Sequence, residues 1–315
     1  MVKELLLSPV TKAPKAPKGF VPVTSAISLT GQALYLVVEE DAKGLVHRRS
    51  GDGQDASFPV SGMGRPYVYK LIIPGTGGVK EVTLPPFEFA FPLVDILSNG
   101  SVVIVGARCN WPDDQNGMIF DPASGISTRF LAGDGIQNIG VDGFNRIWVS
   151  LFDEGVFGNN AGTGSRDVNW RSGLNCFSRT GEILWRFDDP ARHIDDCYAL
   201  NVTERKAHFY YYSDFDLGTV SEDWATRFRK TDVSGCSAFA ISPDGALFSA
   251  GYEDGRDVVT LLRFSGAPRQ QQFRMRLPNR GKMGKGYLIG RGAALYYFTA
   301  KDLYRLDMSL ALYNA

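Results

Sequence analysis

The stretch from Ile136 to Phe157, IQNIGVDGFNRIWVSLFDEGVF, constrains the fold more than any other part of the chain. Ile136, Ile139 and Val141 lead into the polar quartet Asp142-Gly143-Phe144-Asn145, and Ile147, Val149 and Leu151 lead out of it. Gly143 and Asn145 are residue types that accept the positive φ a tight hairpin turn often needs. The unit therefore reads as strand, turn, strand, with the outgoing strand ending at two acids, Asp153 and Glu154.

The same unit recurs along the chain. AISLTGQALYLVVEED turns at Thr30-Gly31-Gln32, and VDILSNGSVVIVGARCNW turns at Asn99-Gly100. CYALNVTERKAHFYYYSDFD turns near Glu204, SAFAISPDGALFSAGYEDG at Pro243-Asp244-Gly245, and GYLIGRGAALYYFTAKD at Gly290-Arg291-Gly292. The turns are spaced irregularly by roughly 40 to 70 residues, in and above the range of propeller blades. Most of these hairpins are followed by a second strand pair with its own Gly, Pro, Ser or Asp turn: PYVYKLIIPGTGGVKEVTL, GMIFDPASGISTRFL, GLNCFSRTGEILWRF and VVTLLRFSGAPRQQQFRMRL. Four strands per repeat, repeated six times, predicts an all-β chain, a six-bladed β-propeller with four-stranded antiparallel blades. Stacked blades cover both faces of each sheet, which explains strands apolar on both sides, such as ALYLVV and HFYYYS.

The last repeat lacks one strand, since LYRLDM is followed only by LALYNA, and the N-terminal KELLLSPV is the candidate to complete it. Thr11 to Gly19, TKAPKAPKG, reads as an extended linker. The expected organisation is an arm and linker over residues 1–20 and a single propeller over 21–315. Two insertions, Glu40 to Arg65 and Gly155 to Gly173, exceed an ordinary hairpin loop.

Composition narrows the function classes. Lysine and arginine number 34 and so do aspartate and glutamate, so no global field points to nucleic acid or a membrane surface. No apolar run approaches the roughly 20 residues of a spanning helix. MVKELLLSPV has no small-residue cleavage site and does not read as a secretory signal. The expected location is cytoplasmic. Cys109, Cys176, Cys197 and Cys236 are widely spread without a C-x-x-C pair and read as reduced core thiols.

The run IGVDGFNRIWVSLFDEG resembles the blade motif of NHL-type and related six-bladed propellers, in which an Asp-Gly/Asn turn precedes an aromatic and β-branched strand. More closely, the chain resembles a group of bacterial propeller proteins carrying FDEGVFGN and, later, IDDCYALNV; here these are Phe152 to Asn159 and Ile194 to Val202. The resemblance covers nearly the whole chain and implies the fold. The enzyme comparison it brings is with the SMP-30/gluconolactonase group, which holds one divalent metal on Glu, Asn and Asp ligands. The E-G-P entry and P-N-G turn of that group are absent from this sequence.

Loops that enter the first strand and leave the second strand of each blade build one face of a propeller. That rule collects Asp95, Asn138, Asp195, Asp196 and Cys197 at strand starts, and Arg108, Asn110, Trp111, Asp153, Glu154, Asp214, Asp216, Glu253 and Asp254 past strand ends, with His193 on an entry loop. Crowded carboxylates repel unless a cation or base joins them or one stays protonated, and Arg108 is a candidate counter-ion. The expected ligand-binding residues are Asp95, Arg108, Asn110, Trp111, Asn138, Asp153, Glu154, His193, Asp195, Asp196 and Asp214. Asp153, Asp196 and Asp214 are the candidate ligands of one divalent ion, Ca, Mg, Mn or Zn. Each acid has an alternative reading as a solvated loop residue. Asp153 or Glu154 is further expected to face Asp195 or Asp196 across successive blades. His193 and Cys197 read better as a loop histidine and a buried thiol than as a nucleophile pair, because residues four apart in extended chain do not touch. The expected function is a binding or scaffold protein for a small molecule or peptide; the alternative is a metal-dependent hydrolase or lyase acting on a sugar-like or lactone substrate.

Overall fold

The structure, a computed structural model, describes residues 2–47, 49–50, 58–59, 62–109, 114–158, 172–252, 254–266 and 269–315. The chain is nearly all β, with six small antiparallel sheets, and the fold class is the six-bladed β-propeller. By its contacts it divides into two compact units: a first of Pro14–Asp196, and a second of Met1–Ala13 with Cys197–Ala315.

Among the described residues the first unit contains, besides two short two-stranded sheets, three four-stranded ones. Their strands follow chain order: Phe20–Ile27, Ala33–Glu39, Tyr69–Gly75 and Gly78–Thr83; Pro92–Ile96, Val102–Gly106, Gly117–Phe120 and Ser127–Phe130; Ile136–Val141, Ile147–Leu151, Leu174–Phe177 and Ile183–Arg186. The expected turn quartet after Val141 is present, with Asn145 at φ +60°. Asp142 lies fully buried in it. Its Oδ1 accepts the N–H groups of Phe144 and Arg146, and its Oδ2 accepts Arg146 Nε at 2.6 Å and Trp148 Nε1 at 3.0 Å. Adjacent sheets are stitched by side chains as well as by packing. Asp95, only 2 % exposed, accepts the N–H of Val141 at 2.8 Å, and Asn145 Oδ1 accepts the N–H of Ser98 at 2.7 Å.

The second unit holds the other three. The fourth sheet is Asp196–Val202, Ala207–Tyr212, Leu217–Val220 and Thr226–Arg229; its first residue falls on the division between the units. The fifth is Phe239–Ser242, Gly245–Ser249, Val258–Arg263 and Gln270–Arg276, and the sixth is Tyr287–Arg291, Ala294–Phe298 and Asp302–Asp307. The N-terminal segment does complete the sixth sheet, and it does more. Ser8–Lys12 pairs antiparallel with Asp302–Arg305 as the missing strand, while Lys3–Leu6 adds a parallel fifth strand to the outer edge of the fifth sheet. Residues placed in an arm by sequence are thus strands of two sheets. The final LALYNA is not a strand: Met308–Asn314 is a helix, as its run of Met, Leu and Ala favours.

Buried polar side chains connect these sheets too. Asn201 donates to the carbonyls of Phe239 at 2.7 Å and Gly292 at 2.9 Å and accepts from the Gly292 N–H. Its amide is spent in the interior. Gly290 is required nearby, because a Cβ there would stand 1.9 Å from the Phe239 carbonyl oxygen.

His208 sits inside the second strand of the fourth sheet, 8 % exposed, with Nδ1 2.9 Å from Thr219 Oγ1. Burial pushes its imidazole down to about 3. A base whose folded value lies below its unfolded value of about 6.5 stabilises the fold fully above that pH. The contribution fades as pH falls from about 6.5 toward 3, by at most about 1.4 kcal/mol per pH unit. His208→Gln is therefore expected to flatten the acid limb of a urea-denaturation series between pH 6.5 and 4. An unaltered pH slope would show that His208 is not the titrating group.

All four cysteines are free and buried. Burial raises the thiols of Cys109, Cys176 and Cys236, the last to about 11. Cys197, 0 % exposed, has its sulfur 3.8 Å from the Ala199 carbonyl, whereas His193 is exposed. No helix of the described residues is long and apolar enough to cross a membrane.

Candidate functional site

The third sheet delivers the chemistry of the first unit. Its second strand, Ile147–Leu151, runs through Phe152 into a single helical turn, α1, at Asp153–Phe157. The turn is anchored by backbone bonds from Gly155 and Val156 to the Phe152 carbonyl, and the Phe152 N–H donates to Gly135 at 2.8 Å. Gly135, at φ +68°, lets α1 come this close, since a Cβ there would lie 2.4 Å from Gly155 Cα.

Arg108, just past the second strand of the second sheet, reaches this turn. Its Nε lies 3.1 Å from Asp134 Oδ1 and its Nη1 2.5 Å from Glu154 Oε2, with the guanidinium 5.5 Å above the Phe152 ring. Asp134 also accepts the Cys109 N–H at 2.9 Å. Its carboxyl is raised by burial, a rise that Arg108 opposes. The expected counter-ion role of Arg108 is thus realised, on Asp134 and Glu154. Asp134 was not among the residues collected from the sequence. It lies two residues before the first strand of the third sheet, so the strand-entry rule applied to AGDGIQ reaches it.

Asp153 is exposed and its Oδ1 accepts the Glu154 N–H at 2.7 Å. Asp196, the first residue of Asp196–Val202, is half-buried. Burial, and then the charge of Asp153, push its carboxyl up to about 6. The charge of Asp153 in the FDEG segment thus acts on Asp196 of the IDDC segment. Among the described residues no ion pair joins a basic side chain to either of them.

The remaining collected residues separate. Asp195 and His193 line a different space, a cavity of about 1040 Å³ along the outer strand Ile183–Arg186, together with Val156, Trp185, Phe187 and Arg192. Asp195 is a bend residue just before the strand that Asp196 opens. Asp95 lies within its strand, not at its mouth, and both carboxylate oxygens are engaged by backbone N–H groups, those of Ile96 and Val141. It is a stitch between sheets and not a ligand-facing acid. Asn138, third in Ile136–Val141, has its amide nitrogen 3.4 Å from Ser150 Oγ. Asp214 belongs to the second unit, where it accepts the Tyr211 hydroxyl at 3.3 Å. Asp216 is buried against Lys230, 3.2 Å away. Asn110, Trp111, Glu253 and the greater part of the Gly155 to Gly173 insertion lie outside the described residues.

The donor set bears on the metal expectation. Among the described residues no group of three or more His, Cys, Asp or Glu is arranged to hold a metal ion. Of the three expected ligands, Asp153 acts on Asp196 through its charge.

Residues 173–306 match the model of the YxzG family. No curated protein matches the chain. Among solved structures, the chain is similar to a catalytically inactive virginiamycin B lyase from Staphylococcus aureus, with 12 % identity, 94 % of this chain and 98 % of that one covered, and a TM-score of 0.49. It is also similar to a Xanthomonas campestris protein described as a gluconolactonase, with 12 % identity, coverage of 95 % and 98 %, and a TM-score of 0.46. A third similarity is to YCF48 bound to D1 peptide, with 9 % identity, coverage of 98 % of both chains, and a TM-score of 0.45. At these identities the likeness does not carry an activity.

Proposed function

We propose that this chain is a ligand-binding propeller protein that receives the ammonium group of a small molecule or peptide on the Asp153–Asp196 pair. The observation that carries the reading is the half-buried Asp196 carboxyl, pushed up to about 6 by burial and then by the charge of Asp153, while Arg108 is already committed to Asp134 and Glu154. Such a pair costs free energy until a cation joins it, and a bound cation restores the charged form of Asp196. Binding then releases a proton near pH 6 and strengthens as pH rises from 5 to 7.

The test is calorimetry with 1,3-diaminopropane, at pH 5 and pH 7 and in buffers of different ionisation enthalpy. Affinity is expected to rise at least fivefold between the two pH values, and Asp196→Asn and Asp153→Asn are expected to weaken binding at least tenfold. Asp196→Asn should also raise the melting temperature at pH 7 and leave it little changed at pH 4. The sign follows from linkage: a carboxyl raised from about 3.9 unfolded to about 6 folded loses stability as pH climbs through that window. If both variants bind as the parent does, the reading is wrong. If Ca, Mg, Mn or Zn chloride binds there and the diamine does not, the partner is a metal ion instead.

A second reading has one observation in its favour. A carboxyl that titrates near 6 beside an exposed carboxylate is the pairing in which one group keeps a proton while the other acts as base. It corresponds to a hydrolase or lyase of sugar-like or lactone substrates. Turnover of a lactone panel, lost in Asp196→Asn, would replace the binding reading with this one.

A further inference from the structure

A group of aromatic side chains in the second unit is not used by the carboxylate pair. Tyr198 stands on the first strand of the fourth sheet, Tyr212 ends the second strand, Phe215 follows in the next loop, and Tyr252 lies past the second strand of the fifth sheet. Three of the rings are steeply inclined to one another in every pairing. Tyr198 and Phe215 are inclined at 64° with centroids 6.1 Å apart, Tyr198 and Tyr252 at 78° and 6.2 Å, and Phe215 and Tyr252 at 80° and 6.0 Å. Tyr212 extends the wall, parallel to Tyr198 at 13° and edge-on to Phe215 at 5.5 Å.

The rings are held in place although they are not buried. Tyr212 is 44 % and Tyr252 62 % exposed. Phe215 is fixed by its own N–H to the Tyr211 carbonyl and by Thr231 Oγ1 to its carbonyl, and it lies over Tyr210, whose hydroxyl donates to Val233. The Tyr252 N–H donates to Ser234, and its ring rests on Gly235, where a Cβ would come within 2.4 Å of it. The hydroxyls of Tyr198 and Tyr252 hydrogen-bond to each other. A solvent-facing array held this firmly costs desolvation and entropy that packing alone does not return.

We propose that Tyr198, Phe215 and Tyr252, with Tyr212 at the rim, form an aromatic corner that binds a quaternary ammonium group. With centroids 6.0 to 6.2 Å apart, one cation can sit within the roughly 6 Å reach of cation–π attraction of all three rings. A methylated ammonium, being weakly hydrated, gives up little water to enter. The exposed Asp214, between Tyr212 and Phe215 in sequence, adds a full negative charge beside the rings. This site is separate from the Asp153–Asp196 reading, and either can fail without the other.

The probes are choline and its uncharged carbon isostere 3,3-dimethylbutan-1-ol, measured by calorimetry on the full chain. Choline is expected to bind at least tenfold more tightly than the isostere. Tyr252→Leu should weaken choline at least tenfold, Tyr252→Phe should retain most of the affinity because the ring face remains, and Asp214→Asn should weaken it by two- to fivefold. Tyr252 is exposed, so these variants keep the fold, which a circular-dichroism melt checks. Asp196→Asn should leave choline binding unchanged. Equal binding of choline and the isostere would overturn the proposal. So would choline binding that survives Tyr252→Leu and is lost in Asp196→Asn, because the cation would then belong to the carboxylate pair.

Discussion

A chain lacking Met1–Lys12 is expected to be less stable than the parent by at least about 4 kcal/mol, from the loss of two fully buried leucines at roughly 2–5 kcal/mol each. Leu5 and Leu7 are each 2 % exposed and pack with Phe273, Met275, Leu306 and Met308. Lys3–Leu6 covers the outer edge of the fifth sheet, and Ser8–Lys12 supplies the outer strand of the sixth. Their removal opens both edges, exposing rows of unpaired N–H and C=O groups. A drop in melting temperature of the order of 10 °C should follow in a thermal scan, accompanied by concentration-dependent light scattering. Leu5→Ala and Leu7→Ala, made singly, should each cost part of this without the scattering, because they keep the backbone pairing. A truncated chain that melts with the parent would show that both strands are dispensable.

Asp142→Ala is expected to cost about 3–5 kcal/mol, the range for breaking a buried ion pair by removing one partner. The carboxylate accepts four hydrogen bonds, from the Phe144 and Arg146 backbones, Arg146 Nε and Trp148 Nε1, and its side chain is fully buried. Alanine leaves those donors facing a void, and Arg146, with a side chain only 10 % exposed, would have to carry its charge without that partner. Asp142→Asn should cost less, since one oxygen remains to accept. Urea denaturation of the three proteins reads this directly. Equal midpoints for Asp142→Ala and the parent would mean that the turn is held by its backbone alone.

These two outcomes also separate what sequence and structure each contributed. The six hairpins, their turns and the four-strand repeat were legible because they are local. Asn145 at positive φ, Gly31 and Gly100 at turns, and period-two apolar runs are decided by residues within a few positions of one another. The N-terminal completion of the sixth sheet was legible for the same reason, as a missing strand with one spare candidate. That the same segment would also pair in parallel with Gln270–Arg276 was not, because nothing local to KELL specifies a partner some 270 residues away.

For the candidate site, a topological rule and the actual packing diverged in instructive ways. The rule placed Asp153 and Asp196 together because successive blades bring strand ends together; the charge of Asp153 acts on Asp196. It failed at Asp95, whose short side chain is consumed by the neighbouring strand's N–H, while Asp195 lines the cavity beside Ile183–Arg186. Direction at a strand entry depends on a single residue of register, and a sequence pattern is uncertain by about that much. The steeply inclined rings of Tyr198, Phe215 and Tyr252 come from three separate segments, and their mutual angles arise from Gly235, Thr231 and Tyr210 beneath them. The six hairpin repeats and the places where each turns follow from local residue pattern. Only the tertiary structure decided which side chains face one another, because that depends on contacts between strands far apart in the chain.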